Sequence, residues 1–236
     1  MPKTVAIVQS FYIPWKGYFD WINTADELIL YDDMQFARRF WNNRNKIKTA
    51  QGMIWLTIPV QVKGKFHQTI KETRISDPRW NYRHWETIQR SYARAAHFKR
   101  YQDIFEPLYL DCDETLLSRI NYRFLSAICQ ILGIRTKISW SMDFPLAEGK
   151  TARLVDLCRQ TGANTYVTGP TAKGYLQEEL FREVGIGVKY MDYSTYPDYP
   201  QLYPPFVHEV SILDLIFNAG PEAPKKYMIS FNRQRL

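Results

Sequence analysis

Cysteine is scarce in this 236-residue chain, and the three present, Cys112, Cys129 and Cys158, have no disulfide or metal-ligand spacing. Two fall inside predicted amphipathic helices, so all three read as core thiols of a protein kept in a reducing cytoplasm. Long apolar runs are also missing. The first stretch, Val5 to Val8, gives way at once to Gln9 and Ser10, too short for a signal peptide, and no later run spans a bilayer. The expectation is a cytoplasmic chain with no transmembrane segment. Four histidines, His67, His84, His97 and His208, lack ligand spacing, and no Ser/His/Asp or Cys/His set assembles locally. Metal is therefore not expected, and no cofactor is identifiable. There is no internal repeat, no low-complexity linker and no domain boundary, which leaves a single domain over 1–236.

What is present leans basic and aromatic. Thirty-one Lys and Arg against 24 Asp and Glu give a formal charge of +7, which favours anionic partners. The two signs are interleaved through most of the chain, as on an ordinary solvated surface. Aromatic residues make up 15% of the sequence. Many sit beside Arg, Asn or Lys, as in Arg39-Phe-Trp-Asn-Asn-Arg-Asn-Lys46, where ring planes and hydrogen-bond donors can face one ligand.

Periodicity gives an α/β reading. Val5–Val8 and Glu27–Leu30 are strands joined by a Pro/Gly turn and a helix. Gly52–Val62 alternates Ile54, Leu56, Ile58 and Val60 against Trp55, Thr57 and Pro59, a strand that Pro59 places at an edge, with Thr69–Ile75 as its hairpin partner. The middle is helical: Trp80–His97 carries Trp85, Ile88, Tyr92 and Ala95 at helical spacing. A stronger stripe from Leu116 to Leu132 is capped by Asp113 and stopped by Gly133. The last third alternates again, with strands at 137–141, 165–167 and 187–191 and helices at 151–161 and 176–184. The Tyr- and Pro-rich stretch 193–205 is an extended surface loop, Ser211 opens a last helix over 212–218, and the tail from Lys225 frays. The fold class is thus α/β, a Rossmann-like, mostly parallel sheet with flanking helices and a helical insertion at about 79–133.

Three constellations can carry chemistry. In Gln9-Ser-Phe-Tyr-Ile-Pro-Trp-Lys-Gly-Tyr18, a helix starting near Gly17 after a strand aims free N–H groups at the strand's C-terminal edge, where an anion binds. This unit resembles the first βα unit of class I aminoacyl-tRNA synthetases and related nucleotidyltransferases, with Trp15 and Tyr18 in place of their motif histidines. The second joins Asp32, Asp33 and Gln35 to Trp41, Asn43, Arg44 and Asn45. If the strand continues, the two adjacent carboxylates point opposite ways, so at most one Asp faces a pocket unless the backbone turns, while the Arg44 fork suits phosphate or carboxylate. The third, Thr168-Gly-Pro-Thr-Ala-Lys173, offers backbone amides, the Thr171 hydroxyl and the Lys173 ammonium beyond Gly169. His84, among Trp80, Tyr82 and Trp85, is the histidine best placed to act as a base.

With these residues laid out, the chain resembles the WbqC-like family, a bacterial group found with genes for O-antigen and other surface polysaccharides. The resemblance rests on Gln9, Tyr12, Pro14-Trp15 and Gly17-Tyr-Phe19; Asp32-Asp33 and Gln35-Phe36; Trp41 and Asn43-Arg-Asn45; Trp55-Leu-Thr and Pro59-Val60; Gly169-Pro, Lys173 and Tyr175-Leu176; and Ser211-Ile, Asp214-Leu, Phe217-Asn and Gly220. It implies a surface-polysaccharide pathway context, and the leading reading of the residues within it is an enzyme of polysaccharide or amino-sugar biosynthesis that transfers an acyl, aminoacyl or glycosyl group from an activated, phosphate-containing donor to a sugar acceptor. Gly17, Arg44 and Lys173 would hold the donor's anionic part, Asp32 or Asp33 would orient or deprotonate the acceptor, and Trp15, Tyr18 and Trp41 would stack on a base or sugar. The alternative from charge and aromatic interleaving is a non-catalytic nucleotide- or RNA-binding module, with tRNA as the candidate partner.

Overall fold

A computed structural model describes residues 2–231. Its centre is a five-stranded, wholly parallel sheet of β1 (Thr4–Val8), β2 (Glu27–Leu30), β5 (Lys137–Trp140), β6 (Thr165–Thr168) and β7 (Gly187–Tyr190), in the order β5-β2-β1-β6-β7. Chain order thus runs outward from β1 to one edge, then returns to its other side. Helix α1 (Lys16–Thr24) makes the first crossover, and α5 (Lys150–Gln160) and α6 (Glu178–Arg182) make the later ones.

Why these segments are strands follows from burial on both faces. Ala6, Leu28, Leu30 and Val167 face the larger core, while Val5, Ile7, Ile29 and Tyr166 face a smaller one with Val155, Leu157, Cys158 and Phe181 of α5 and α6. Period-two alternation between two apolar layers leaves no polar position, hence the continuous apolar runs. The larger core is an aromatic body built on α2 (Trp80–Tyr92), α3 (Phe98–Leu110), α4 (Leu117–Leu132) and α7 (Ile212–Ala219), the last buried at every position. All three cysteines are buried; desolvation pushes the Cys129 and Cys158 thiols up to about 12, away from reactivity.

The structure departs from the sequence expectation in four places. Strand β4 (Gly52–Thr57) pairs with β3 (Arg44–Thr49), immediately before it, in a separate two-stranded sheet; segment 69–75 meets it only through the bridge Val60–Ile75. The helix expected from Trp80 to His97 ends at Tyr92, and a second helix, α3, not expected from the sequence, begins just beyond it at Phe98. Leu116, not Asp113, is the N-cap of α4, and that helix ends as expected on Gly133 in the left-handed conformation (φ 74°). Lys225 lies within α8 (Ala223–Tyr227), and the tail expected beyond it falls outside the described residues from 232 on. The loop 193–205 and the Ser211 cap, whose Oγ accepts from the Leu213 N–H, are as expected. No helix among the described residues is long and apolar enough to cross a membrane.

Candidate functional site

Parallel strands deliver all their outgoing loops to one edge. The order reverses between β1 and β6, and it is outside the carboxyl ends of strands at such a reversal that open α/β sheets bind ligands. Gln9 and Ser10 follow β1, Tyr31 to Asp33 follow β2, Ser141 follows β5, and Gly169 follows β6.

The two carboxylates after β2 lie in a turn beyond the strand, and the backbone there sends them apart. Asp32 turns inward and is wholly buried, accepting from the Ser10 N–H at 2.8 Å and from the Ser118 hydroxyl. Burial raises its pKa against the pull of the Ser118 and Ser10 hydrogen bonds. Asp33 turns to the edge, with its side chain 10% exposed, and is held by the Lys71 ammonium and the Ser141 hydroxyl. Behind Asp32 lies a buried polar network: Asn121 Nδ2 donates to Ser10 Oγ (3.0 Å) and to the Asn42 carbonyl (2.9 Å), while Asn42 Nδ2 reaches the Ser10 carbonyl (3.0 Å) and Gln9 Oε1 (3.3 Å). It couples the β1 and β2 loops to α4, which fixes where Gln9 and Asp33 sit.

The start of α1 is closed over. A Cβ on Gly17 would lie 2.3 Å from the Trp15 ring, so glycine is what lets that indole lie across the first turn of the helix. Tyr193 and Tyr196 then cover Trp15, at 5.1 and 5.6 Å between ring centroids. Lys16 is buried beneath the same loop, its Nζ 4.5 Å from the Tyr196 ring centroid and 3.4 Å from the Pro197 carbonyl. Desolvation brings its pKa down to about 8, opposed by the charges of Asp20, Asp198 and Asp214.

The other sequence candidates separate into three places. Tyr12 and His84 are core residues. His84 Nε2 donates to the Thr57 carbonyl (3.2 Å), leaving Nδ1 to accept from the Tyr12 hydroxyl (2.8 Å), which also meets the Tyr109 hydroxyl (2.9 Å). Both imidazole nitrogens are thus committed inside the protein, and burial lowers the pKa to about 4. Asn43 and Asn45 tie loops together through the carbonyls of Ile58, Tyr12 and Ile13, and the Tyr18 hydroxyl donates to the Gln9 carbonyl. Trp41, Arg44 and Gln35 belong to the β3–β4 side: the Arg44 guanidinium lies 4.0 Å from the Trp55 ring centroid, Trp41 meets the same ring at 5.4 Å, and Gln35 donates to the Phe66 carbonyl. Gly169 stays at the edge beside Trp21, while Thr171 and Lys173 stand exposed on the short turn after β6, Lys173 over the Tyr190 ring at 5.1 Å.

Sequence reasoning passed over Ser10, Lys16, Asn42, Lys71, Ser118, Asn121 and Ser141. Ser10 and Asn42 adjoin residues it named, and a polar residue inside an otherwise apolar or aromatic motif was the available signal. Lys71 and Ser141 lie 38 and 108 residues from Asp33, beyond any local pattern. Among the described residues, no group of three or more His, Cys, Asp or Glu side chains is gathered to hold a metal ion.

The model of the WbqC-like protein family matches residues 9–226. The chain is also 53% identical over 222 residues to the uncharacterized protein Rv1507c of Mycobacterium tuberculosis, covering 94% of this chain and 96% of that one. No solved structure matches it.

Proposed function

The chain belongs to the WbqC-like protein family, and from that premise we propose a Rossmann-like group-transfer enzyme of bacterial surface-polysaccharide or amino-sugar biosynthesis, working in the cytoplasm. The observation that carries the reading is Asp33, a carboxylate held by Lys71 and Ser141 at the C-terminal strand edge, one strand away from the order reversal. Neighbouring strands lie about 4.8 Å apart, so a donor lodged outside β1 and β6 brings its reactive carbon within reach of an acceptor at β2.

In this reading the activated donor lies along Gln9 and Gly169, with Thr171 and Lys173 free to meet its phosphates. The acceptor's hydroxyl or amine attacks the donor carbon, Asp33 takes the released proton, and the bond to the phosphate-bearing leaving group breaks with its electron pair. Lys71 and Ser141 fix the carboxylate's orientation, and Asp32 acts through the Ser10 loop as a positioning residue. His84 has no part in proton transfer here.

Isothermal titration of the purified protein with nucleotide sugars, acyl-coenzyme A, ATP and aminoacylated tRNA tests the donor. One class should bind, and Asp33→Asn should retain that binding while lowering turnover by about 10²–10⁴-fold. Binding by none of them, or full turnover in Asp33→Asn, would refute the reading.

A further inference from the structure

Residues 34–71 hold eight Lys or Arg and no Asp or Glu. This 38-residue run is the longest acid-free stretch of the chain, and it forms β3, β4 and their flanking loops. Lys48 is buried and Lys71 is paired with Asp33. None of the other six, Arg38, Arg39, Arg44, Lys46, Lys63 and Lys65, takes part in an ion pair among the described residues.

Aromatic rings stand among these cations. Trp55 is 41% exposed on the outer face of the hairpin, with Arg44 at 4.0 Å and Lys46 at 5.2 Å from its ring centroid. Arg44 Nη2 also donates to the Arg39 carbonyl, which links that face to Arg38 and so to a groove of about 420 Å³. Arg38, Lys65, Phe36 and Phe66 line the groove together with the amides Gln35 and Gln68. Phe66 is 74% exposed, which leaves its ring face open to solvent. Gln68 is fixed by donating to the Gln61 carbonyl (2.8 Å), and its own Oε1 is buried with no hydrogen-bond partner among the described residues.

We infer that this face binds single-stranded RNA, with one nucleotide seated in the groove. The volume suits a mononucleotide unit. A base stacks on Phe66, and Arg38 and Lys65 take the adjoining phosphate. Arg39, Arg44 and Lys46 continue the cationic track to Trp55, where a further base stacks. An anionic lipid surface would use the same charges but has no use for paired amides in a groove, which is why RNA is favoured. The site is separate from the proposed transfer site, so either reading can fail alone.

Fluorescence anisotropy with a labelled 16-nucleotide single-stranded RNA and the full chain is the test. Affinity should fall about 50-fold between 50 and 200 mM salt if about four phosphates are contacted. Phe66→Ala, at a solvent-facing position that cannot disturb the core, should weaken binding about tenfold. Arg38→Gln with Lys65→Gln should reduce the logarithmic salt slope by about 1.4. No RNA binding, binding unchanged in both variants, competition by uridine monophosphate at concentrations equal to the RNA's, or sedimentation with anionic vesicles in place of RNA binding would each overturn the inference.

Discussion

His84 gives the sharpest quantitative expectation, because its place in the core decides between a base and a scaffold. In the unfolded chain its imidazole titrates near 6.5; in the fold, burial between Trp80 and Tyr12 lowers this to about 4. Between those values the unfolded state binds the extra proton, so stability is lost as pH falls through 6.5 and the loss levels off below 4. At pH 5 the site should cost about 2 kcal/mol relative to pH 8. The side-chain amide of a His84→Gln variant can still donate to Thr57 and accept from Tyr12, at a penalty of about 1–2 kcal/mol for imperfect geometry, and it does not titrate. Urea unfolding of both proteins at pH 8 and pH 5, followed by far-ultraviolet circular dichroism, isolates the site, since every other titrating group cancels in the difference. The difference between the two proteins should shift by about 2 kcal/mol at pH 5, which closes the gap or reverses its sign. Parallel losses in both would show that His84 titrates as an exposed histidine, and the argument for its structural role would fall.

Two further expectations concern the frame. Gly17→Ala should destabilise the fold by about 1–3 kcal/mol, because the new methyl collides with the Trp15 ring; limited proteolysis should then cut within 193–208, and an unchanged digestion pattern would contradict the covering role of that loop. Glu27, buried at the opposite sheet edge, would have its pKa raised by burial, but bonds from Lys3, Ser139 and Lys137 outweigh this and hold it below the ordinary value. Its stabilisation is therefore present above the unfolded carboxylate pKa and lost as pH falls through the lower folded value. Glu27→Gln should cost about 3 kcal/mol at pH 7 and much less near pH 2, as read by urea midpoints; an equal cost at both would refute the ionic account.

Much of the fold was legible because the parallel strands are sandwiched. Val5–Val8 and Leu28–Leu30 are apolar at every position, and the α4 stripe ends on a glycine that takes φ 74°. The α2–α3 break was hidden by the mixed sequence Ala93–His97, whose turn is settled by contacts far away: the His97 N–H donates to the Phe217 carbonyl, and its ring abuts Gly220. The hairpin partner was misassigned because Arg44–Thr49 looks like a polar loop. Its inward residues, Asn45 and Ile47, are buried only once Asn45 reaches the Tyr12 and Ile13 carbonyls. For the site, Asp32 and Asp33 lie in a turn beyond β2, so strand alternation does not account for their opposite headings, and Tyr12, Asn43 and Asn45 looked like ligand donors because a buried backbone tie and a ligand contact demand the same amides and hydroxyls.

The central claim is that ligand chemistry takes place at the C-terminal edge of the parallel sheet, with Asp33 at its centre. The most direct measurement is a crystal structure of the protein soaked with the donor that calorimetry selects. Donor density outside β1 and β6, with its reactive carbon facing Asp33, is the predicted result; donor density elsewhere, with that edge untouched, would contradict the account.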